Sequence, residues 1–187
     1  MRVTAGSKKG RELEAPKGRH TRPTLAKVKE AMFGMIQFDI EGASVLDLFS
    51  GSGALGIEAL SRGCASAVFC DADRQAAGVV KANLSRLGLM DSARVYCCDA
   101  LALLDSLAAE GKRFDIVLLD PPYGSELQSL ALAALERLSL LNEGAIVVCE
   151  HSRDNPPKIP SASFEARRAK KYGDCYVTLM SYSEATI

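Results

Sequence analysis

The sequence predicts an α/β domain built on a parallel sheet and finished by an antiparallel hairpin. Short apolar runs at 44–48, 67–71, 93–97, 114–119 and 145–149 have strand character. They alternate with helical patterns at 54–62, 74–87, 100–110 and 127–138, broken by Gly63, Gly88, Gly111 and Gly144. Such alternation calls for right-handed crossovers and a sheet covered on both faces. Two extended runs, 164–172 and 176–181, then follow with only Gly173-Asp174 at the bend, which signals a hairpin.

The first of these elements is preceded by a helix predicted over 24–37, where Leu25, Val28, Ala31, Met32, Met35 and Ile36 recur at helical spacing. Thr24 is placed to cap it and Pro23 stiffens the approach. Ahead of it lies a basic segment, taken here as an N-terminal extension over residues 1–22 that precedes the main domain at 23–187. Residues 1–30 carry nine basic side chains and three acidic ones, +6, so the rest of this 187-residue chain of zero net charge is −6. A basic arm on an acidic body suggests a polyanionic partner approached from one side, although a charged terminus can also be merely solvated.

Composition is that of one globular domain, 48% hydrophobic and 25% charged, without repeats or low-complexity tracts. No apolar run reads as a secretory signal or a membrane span, and a cytoplasmic protein is expected. The six cysteines form no C-x-x-C pair and four lie within apolar runs, so reduced thiols and no metal site are expected. His20 and His151 suggest no catalytic role.

Two motifs carry chemistry. Gly51, Gly53 and Gly56 form G-x-G-x-x-G between a strand and a helix, where missing Cβ atoms let backbone approach a nucleotide or amino-acid moiety. Asp71 ends the second strand, placed to accept hydrogen bonds from ribose hydroxyls. Asp47 lies near the end of the first strand, where dinucleotide-binding strands are usually apolar. Asp99, followed by Ala100, could cap the next helix. After the fourth strand comes Asp120-Pro121-Pro122-Tyr123, stiff because both proline φ angles are fixed and residues before proline avoid helical geometry. The tetrapeptide resembles a motif of amino-methyltransferases, whose exocyclic-amine substrate is a poor nucleophile because its lone pair is delocalised into its ring. The Asp120 carboxylate and Pro121 carbonyl could each accept one N–H bond, turning that lone pair toward a methyl donor while Tyr123 stacks on the base.

The D-x-F-x-G-x-G pattern around Asp47 resembles the first motif of S-adenosylmethionine methyltransferases, and D-P-P-Y resembles the [D/N]-P-P-[Y/F] motif of amino-methyltransferases acting on bases or glutamine. With Arg2-Val3-x-x-Gly6, Lys9-Gly10-Arg11-x-Leu13-x-x-Pro16, Arg22-Pro23-Thr24 and Val28-Lys29-Glu30-x-x-Phe33, the resemblance spans nearly the whole chain. The sequence is similar to the RsmD-type family of 16S ribosomal RNA (guanine-N2)-methyltransferases. That resemblance implies a Rossmann-like seven-stranded methyltransferase sheet, a small N-terminal β-hairpin extension that grips RNA, and S-adenosylmethionine as cofactor. It also implies 16S ribosomal RNA or the small ribosomal subunit as partner; we expect a monomer.

By the same resemblance Asp120, Pro121, Pro122 and Tyr123 are the catalytic residues. Thr24, Asp47, Phe49, Gly51, Ser52, Gly53, Asp71, Asp99 and Ala100 would hold the cofactor, with Asp47 orienting its methionine end. Arg2, Lys8, Lys9, Arg11, Arg19 and Arg22 would meet RNA. Two departures stand out: Lys29 replaces a common arginine, losing any bidentate contact, and Asp71 replaces a longer glutamate. Three alternatives stay open: a D-P-P-Y enzyme methylating adenine N6 or protein glutamine, a nicotinamide-dependent dehydrogenase, and a non-catalytic ribosome-assembly factor. Asp47, the final hairpin and D-P-P-Y have no purpose in the dehydrogenase.

Overall fold

The structure, a computed structural model, describes residues 1–16, 23–122 and 124–184, with 23–25 described by backbone alone. Its helices are α1 (Pro23–Met35), α2 (Ala54–Ser61), α3 (Arg74–Leu87), α4 (Ala100–Ala109) and α5 (Leu127–Arg137). The strands are β1 (Ser44–Asp47), β2 (Ser66–Cys70), β3 (Ala93–Tyr96), β4 (Phe114–Leu119), β5 (Leu141–Ser152), β6 (Phe164–Tyr172) and β7 (Cys175–Tyr182). Helix α1 starts on Pro23 itself, whose missing N–H would have no helical partner in the first turn anyway. In α3 the Asp73 side chain accepts from the Gln75 amide at 2.8 Å, and Gly88 closes the other end at φ 64°.

The strands form one sheet in the order β3-β2-β1-β4-β5-β7-β6. Pairings from β3 through β5 are parallel, and β7 pairs antiparallel with both β5 and β6. This is the parallel sheet finished by an antiparallel hairpin that the alternation predicts, in the Rossmann-like seven-stranded form that the resemblance implies. The strand order reverses beside β1: β2 and β3 lie on one side, β4 and β5 on the other. A crevice opens at such a switch point, outside the strands' carboxyl ends, and the glycine turn and D-P-P corner both follow strands that flank it.

One boundary differs from expectation. Gly144 was read as a break between helix and strand, but it lies inside β5 at φ 76°. The pairing jumps from Phe114↔Leu141 to Ile116↔Ile146, so extra β5 residues are looped out there. Glycine serves this bulge because its backbone tolerates positive φ.

Apolar side chains pack on both faces of the sheet. On one face Met32, Phe33, Ile36, Phe69 and Leu84 bring α1 and α3 onto the strands. On the other, Leu104, Leu107, Leu132 and Leu135 from α4 and α5 cover Val117, Leu119 and Val147. Burial of each such large side chain contributes about 1.5–3 kcal/mol before conformational entropy is subtracted.

Residues 1–16 belong to the first of these layers. Val3 and Leu13 are buried in it, and the expected hairpin is reduced to one antiparallel bridge, Arg2↔Glu12. Backbone bonds Val3 N–H to Arg11 O (3.0 Å) and Leu13 N–H to Met1 O (2.8 Å) close the loop. At its tip Gly6 sits at φ 79°, and a Cβ there would lie 1.8 Å from the Ser61 carbonyl oxygen, so only glycine fits. The other strand of the loop is held by α3: Asn83 accepts from the Glu14 amide and donates to the Glu14 carbonyl, and Arg86 donates to the Glu12 carbonyl.

Candidate active site

A cavity of about 800 Å³ opens at the switch point. The glycine turn supplies Phe49, Gly51 and Ser52; Asp71 comes from the end of β2, and Asp99 and Ala100 from the start of α4. Asp120, Pro121 and Pro122 line the same cavity from the end of β4. The two motifs recognised in the sequence therefore face a common space.

Asp71 is held rigidly. Its Oδ2 accepts from the Gly51 amide at 2.8 Å and its Oδ1 from the Asp73 amide at 2.9 Å. Each carboxylate oxygen keeps a further acceptor site, so the pinned group can still take hydroxyl donors from a ligand. For Asp99 the helix-cap alternative is observed: Oδ1 accepts from the Leu101 and Ala102 amides at 2.9 and 3.0 Å. The residue also lines the cavity, so the cap places a carboxylate there.

Asp47 and Gly53 do not line the cavity. Asp47 is only 1% exposed and its Oδ2 accepts from the Gly56 amide at 2.9 Å, clamping the first turn of α2 under β1. Its Oδ1 has no hydrogen-bond partner among the described residues. Gly53 begins α2 at φ 79°, and a Cβ there would press on Ile57 and Val80 at 3.2 Å, so its requirement is close packing. Tyr123, Arg19 and Arg22 and the side chain of Thr24 lie outside the described residues, as does His20. His151 is buried, with ring nitrogens 2.8 Å from the Ser152 carbonyl and 2.9 Å from Thr178 Oγ1, a structural placement.

Burial pushes the Asp47 carboxyl up to about 7; the Gly56 amide opposes the rise and the Asp71 charge adds to it. The folded protein thus keeps this proton to near pH 7, whereas the unfolded chain, at the ordinary value of 3.8, releases it earlier. The Asp47 contribution to stability falls as pH rises from about 4 to about 7, because over that range this group binds its proton more tightly in the native state. Asp47→Asn retains an acceptor for Gly56 and cannot ionise. Denaturant titrations across this range are expected to show a shallower decline for the variant, and equal slopes would refute the assignment.

The D-P-P corner is braced from behind. Pro122 O accepts from the Ser125 hydroxyl at 2.7 Å, Ser125 O accepts from the Asn155 side-chain amide at 2.5 Å, and Asn155 O accepts from Gln128 Nε2 at 3.1 Å. These bonds tie the loop to α5 and to the chain after β5. One acidic cavity residue has no counterpart among the motif residues. Glu150, 5% exposed, lines the cavity from β5, and the Leu119↔Cys149 pairing puts it beside Asp120. The signal was available, since Glu150 is an acid ending an apolar run just as Asp71 is. Lys29 also lines the cavity at 4% exposure, with its Nζ 2.9 Å from Glu58 Oε2 and donating to Arg2 O at 2.6 Å.

Among the residues expected to meet RNA, Arg2 is exposed and paired with Glu12 at 2.9 Å. Lys9 and Arg11 are exposed and Lys8 is half-buried. Among the described residues no group of three or more His, Cys, Asp or Glu side chains is placed to hold a metal ion, and no helix is long and apolar enough to cross a membrane.

The family model described as conserved hypothetical protein 95 matches residues 1–181. Ribosomal RNA small subunit methyltransferase D of Escherichia coli (strain K12) is 34% identical over 174 residues, 92% of this chain and 85% of that one. YlbH of Bacillus subtilis (strain 168) is 46% identical over 154 residues, 82% of this chain and 84% of its own. The chain belongs to the RsmD-type methyltransferase family. The methyltransferase superposes on the solved Escherichia coli protein yhhF with a TM-score of 0.86 at 30% identity, covering 98% of each chain. An O-methyltransferase from Bacillus cereus, solved with SAH, shares the fold at a TM-score of 0.68 and 16% identity, over 89% of this chain and 84% of the other.

Proposed function

We propose that the protein transfers a methyl group from S-adenosylmethionine to the exocyclic N2 amine of a guanine in 16S ribosomal RNA. One observation carries the reading: the pinned Asp71 and glycine turn open on the same cavity as the Asp120-Pro121-Pro122 corner, so donor and acceptor can meet without an intermediate carrier.

The cavity suits the cofactor. Its volume is within the usual range for ligand sites, and the Asp71 carboxylate is aimed by two backbone amides with acceptor capacity left for ribose hydroxyls. Phe49 and Ala100 add apolar surface, and Asp99 can accept from an adenine amine. Asp47 supports the site indirectly, through the turn it clamps. S-adenosylmethionine supplies, when bound, a methyl group on a positively charged sulfur that needs no further activation.

The remaining work is orientation. Asp120 and the Pro121 carbonyl accept the two amine hydrogens, which holds the nitrogen lone pair toward the donor. The bonds from Ser125 and Asn155 keep the corner from relaxing, so that geometry costs little to reach in the transition state. As the nitrogen takes the methyl group it gives up one proton, and Asp120, already bonded to an amine hydrogen, is the acceptor nearest to it.

The relatives named as small-subunit RNA methyltransferases support 16S RNA as substrate, and the exposed Lys9 and Arg11 of the N-terminal segment suit a phosphate backbone. The test is mass spectrometry of nucleosides from 16S RNA of cells with and without the gene. The expected result is loss of one N2-methylguanosine. Loss of N6-methyladenosine would replace the substrate, and an unchanged RNA with a lost glutamine methyl group would move the activity to protein.

A further inference from the structure

We propose that the outer edge of β6 is a second RNA-binding surface, gripping phosphates that flank the methylated nucleotide. The inference rests on the RNA-methylation reading above and extends it to the edge strand of the sheet.

The strand pairings place this edge relative to the chemistry. Leu119 pairs with Cys149, Cys149 with Thr178, and Thr178 with Ala169, so β4, β5, β7 and β6 share a rung one residue short of the catalytic corner. On the next rung Glu150 pairs with Val177 and Val177 with Lys170, level with Asp120; on the one after, His151, Tyr176 and Lys171 align. Lys170 and Lys171 therefore stand at the same end of the sheet as the cavity. They are three strand spacings from Asp120, roughly 14 Å across the sheet. That span suits an RNA strand whose target base is turned into the cavity while its neighbours lie over the sheet end.

Charge singles out the same strand. Within its nine residues β6 carries Arg167, Arg168, Lys170 and Lys171 against Glu165 alone, a net +3. Residues 31–187 total −6, so without β6 they would stand at −9. All four basic side chains are exposed, and none forms an ion pair among the described residues. Asp39 shares a cleft with Arg167 and Arg168. Lys171 is also presented over a ring: its Nζ lies 6.0 Å from the centre of Tyr176, which in turn stacks on His151 at 5.8 Å. A bulge between Ala166 and Arg168 makes Arg167 the unpaired residue, turning successive cations along the edge toward different directions.

Lysines on an edge strand also prevent sheets from joining edge to edge, and the experiment separates that role from RNA binding. The probe is 16S RNA transcribed in vitro, with K170Q/K171Q and R167Q/R168Q compared to the unaltered protein. Binding is measured against salt concentration, alongside methylation kinetics and sedimentation. The expected result for K170Q/K171Q is a salt slope lower by about 1.5, from two lost phosphate contacts, with KM for RNA raised and kcat unchanged. A smaller loss of slope is expected from R167Q/R168Q, farther from the cavity. Unchanged slope and KM overturn the proposal, and self-association under those conditions would assign the charges to guarding the edge. The phosphate term does not depend on which base is modified. Failure of the guanine reading would appear separately, as absence of N2-methylguanosine with the unaltered protein.

Discussion

Asp120→Ala is expected to lower kcat about a hundred- to a thousandfold while S-adenosylmethionine and RNA still bind. In the proposed mechanism the substitution removes an acceptor that orients the amine, and groups of this kind are felt mainly in the transition state. Binding should survive because the groups proposed to face the cofactor, Gly51 and the braced Asp71, are untouched. Calorimetry for cofactor, filter binding for RNA and single-turnover methyl transfer make the separation. Undiminished transfer would remove Asp120 from the mechanism, and loss of cofactor affinity in proportion would make it part of the cofactor site instead. The same experiment decides against a non-catalytic assembly factor if the unaltered protein turns over.

Glu58→Ala should be the most damaging single change to stability, about 3–5 kcal/mol, because it strands a buried lysine. Glu58 is fully buried within α2 and its carboxylate gathers five donors. Thr4 donates through its amide (2.9 Å) and hydroxyl (2.7 Å), and the Ala5 amide follows at 3.0 Å. Lys29 and Arg62 each approach to 2.9 Å. Burial alone would raise the Glu58 carboxyl, yet the Lys29 and Thr4 bonds hold it below the usual 4.5. Its contribution is therefore complete above about pH 4.5 and disappears as pH falls through the lowered value. Acid unfolding of the unaltered protein should steepen there, and Glu58→Gln should lack that component. A variant with unaltered midpoint in denaturant would show that the network contributes nothing net.

Much of the architecture was legible because it rests on local rules. The periods of 2 and 3.6 residues place β4, β6 and α3 at the limits the structure shows, since each is bounded by glycine, by a capping acid or by an abrupt change of polarity. The strand-end positions of Asp71 and Asp120 followed from the same pattern. What was not legible depends on pairing between distant segments. Glu58 looks like a solvent-facing charge in an eight-residue helix, and its partners Thr4 and Lys29 are 54 and 29 residues away. Gly144 is equally good as a helix stop or a bulge, and only the partner strand decides between them. The bond from Gly56 to Asp47, which clamps the glycine turn, joins residues of two different elements and has no signature in the motif itself.

The place of β7 between β5 and β6 has a consequence for how the polypeptide is made. Ribosomes release β6 before β7, so the basic strand emerges with no neighbour to zip against and must wait for the segment that follows it. Until then β5 presents an open edge, and a nascent molecule halted near Gly173 would be a candidate for chaperone capture or for misassociation with its own kind.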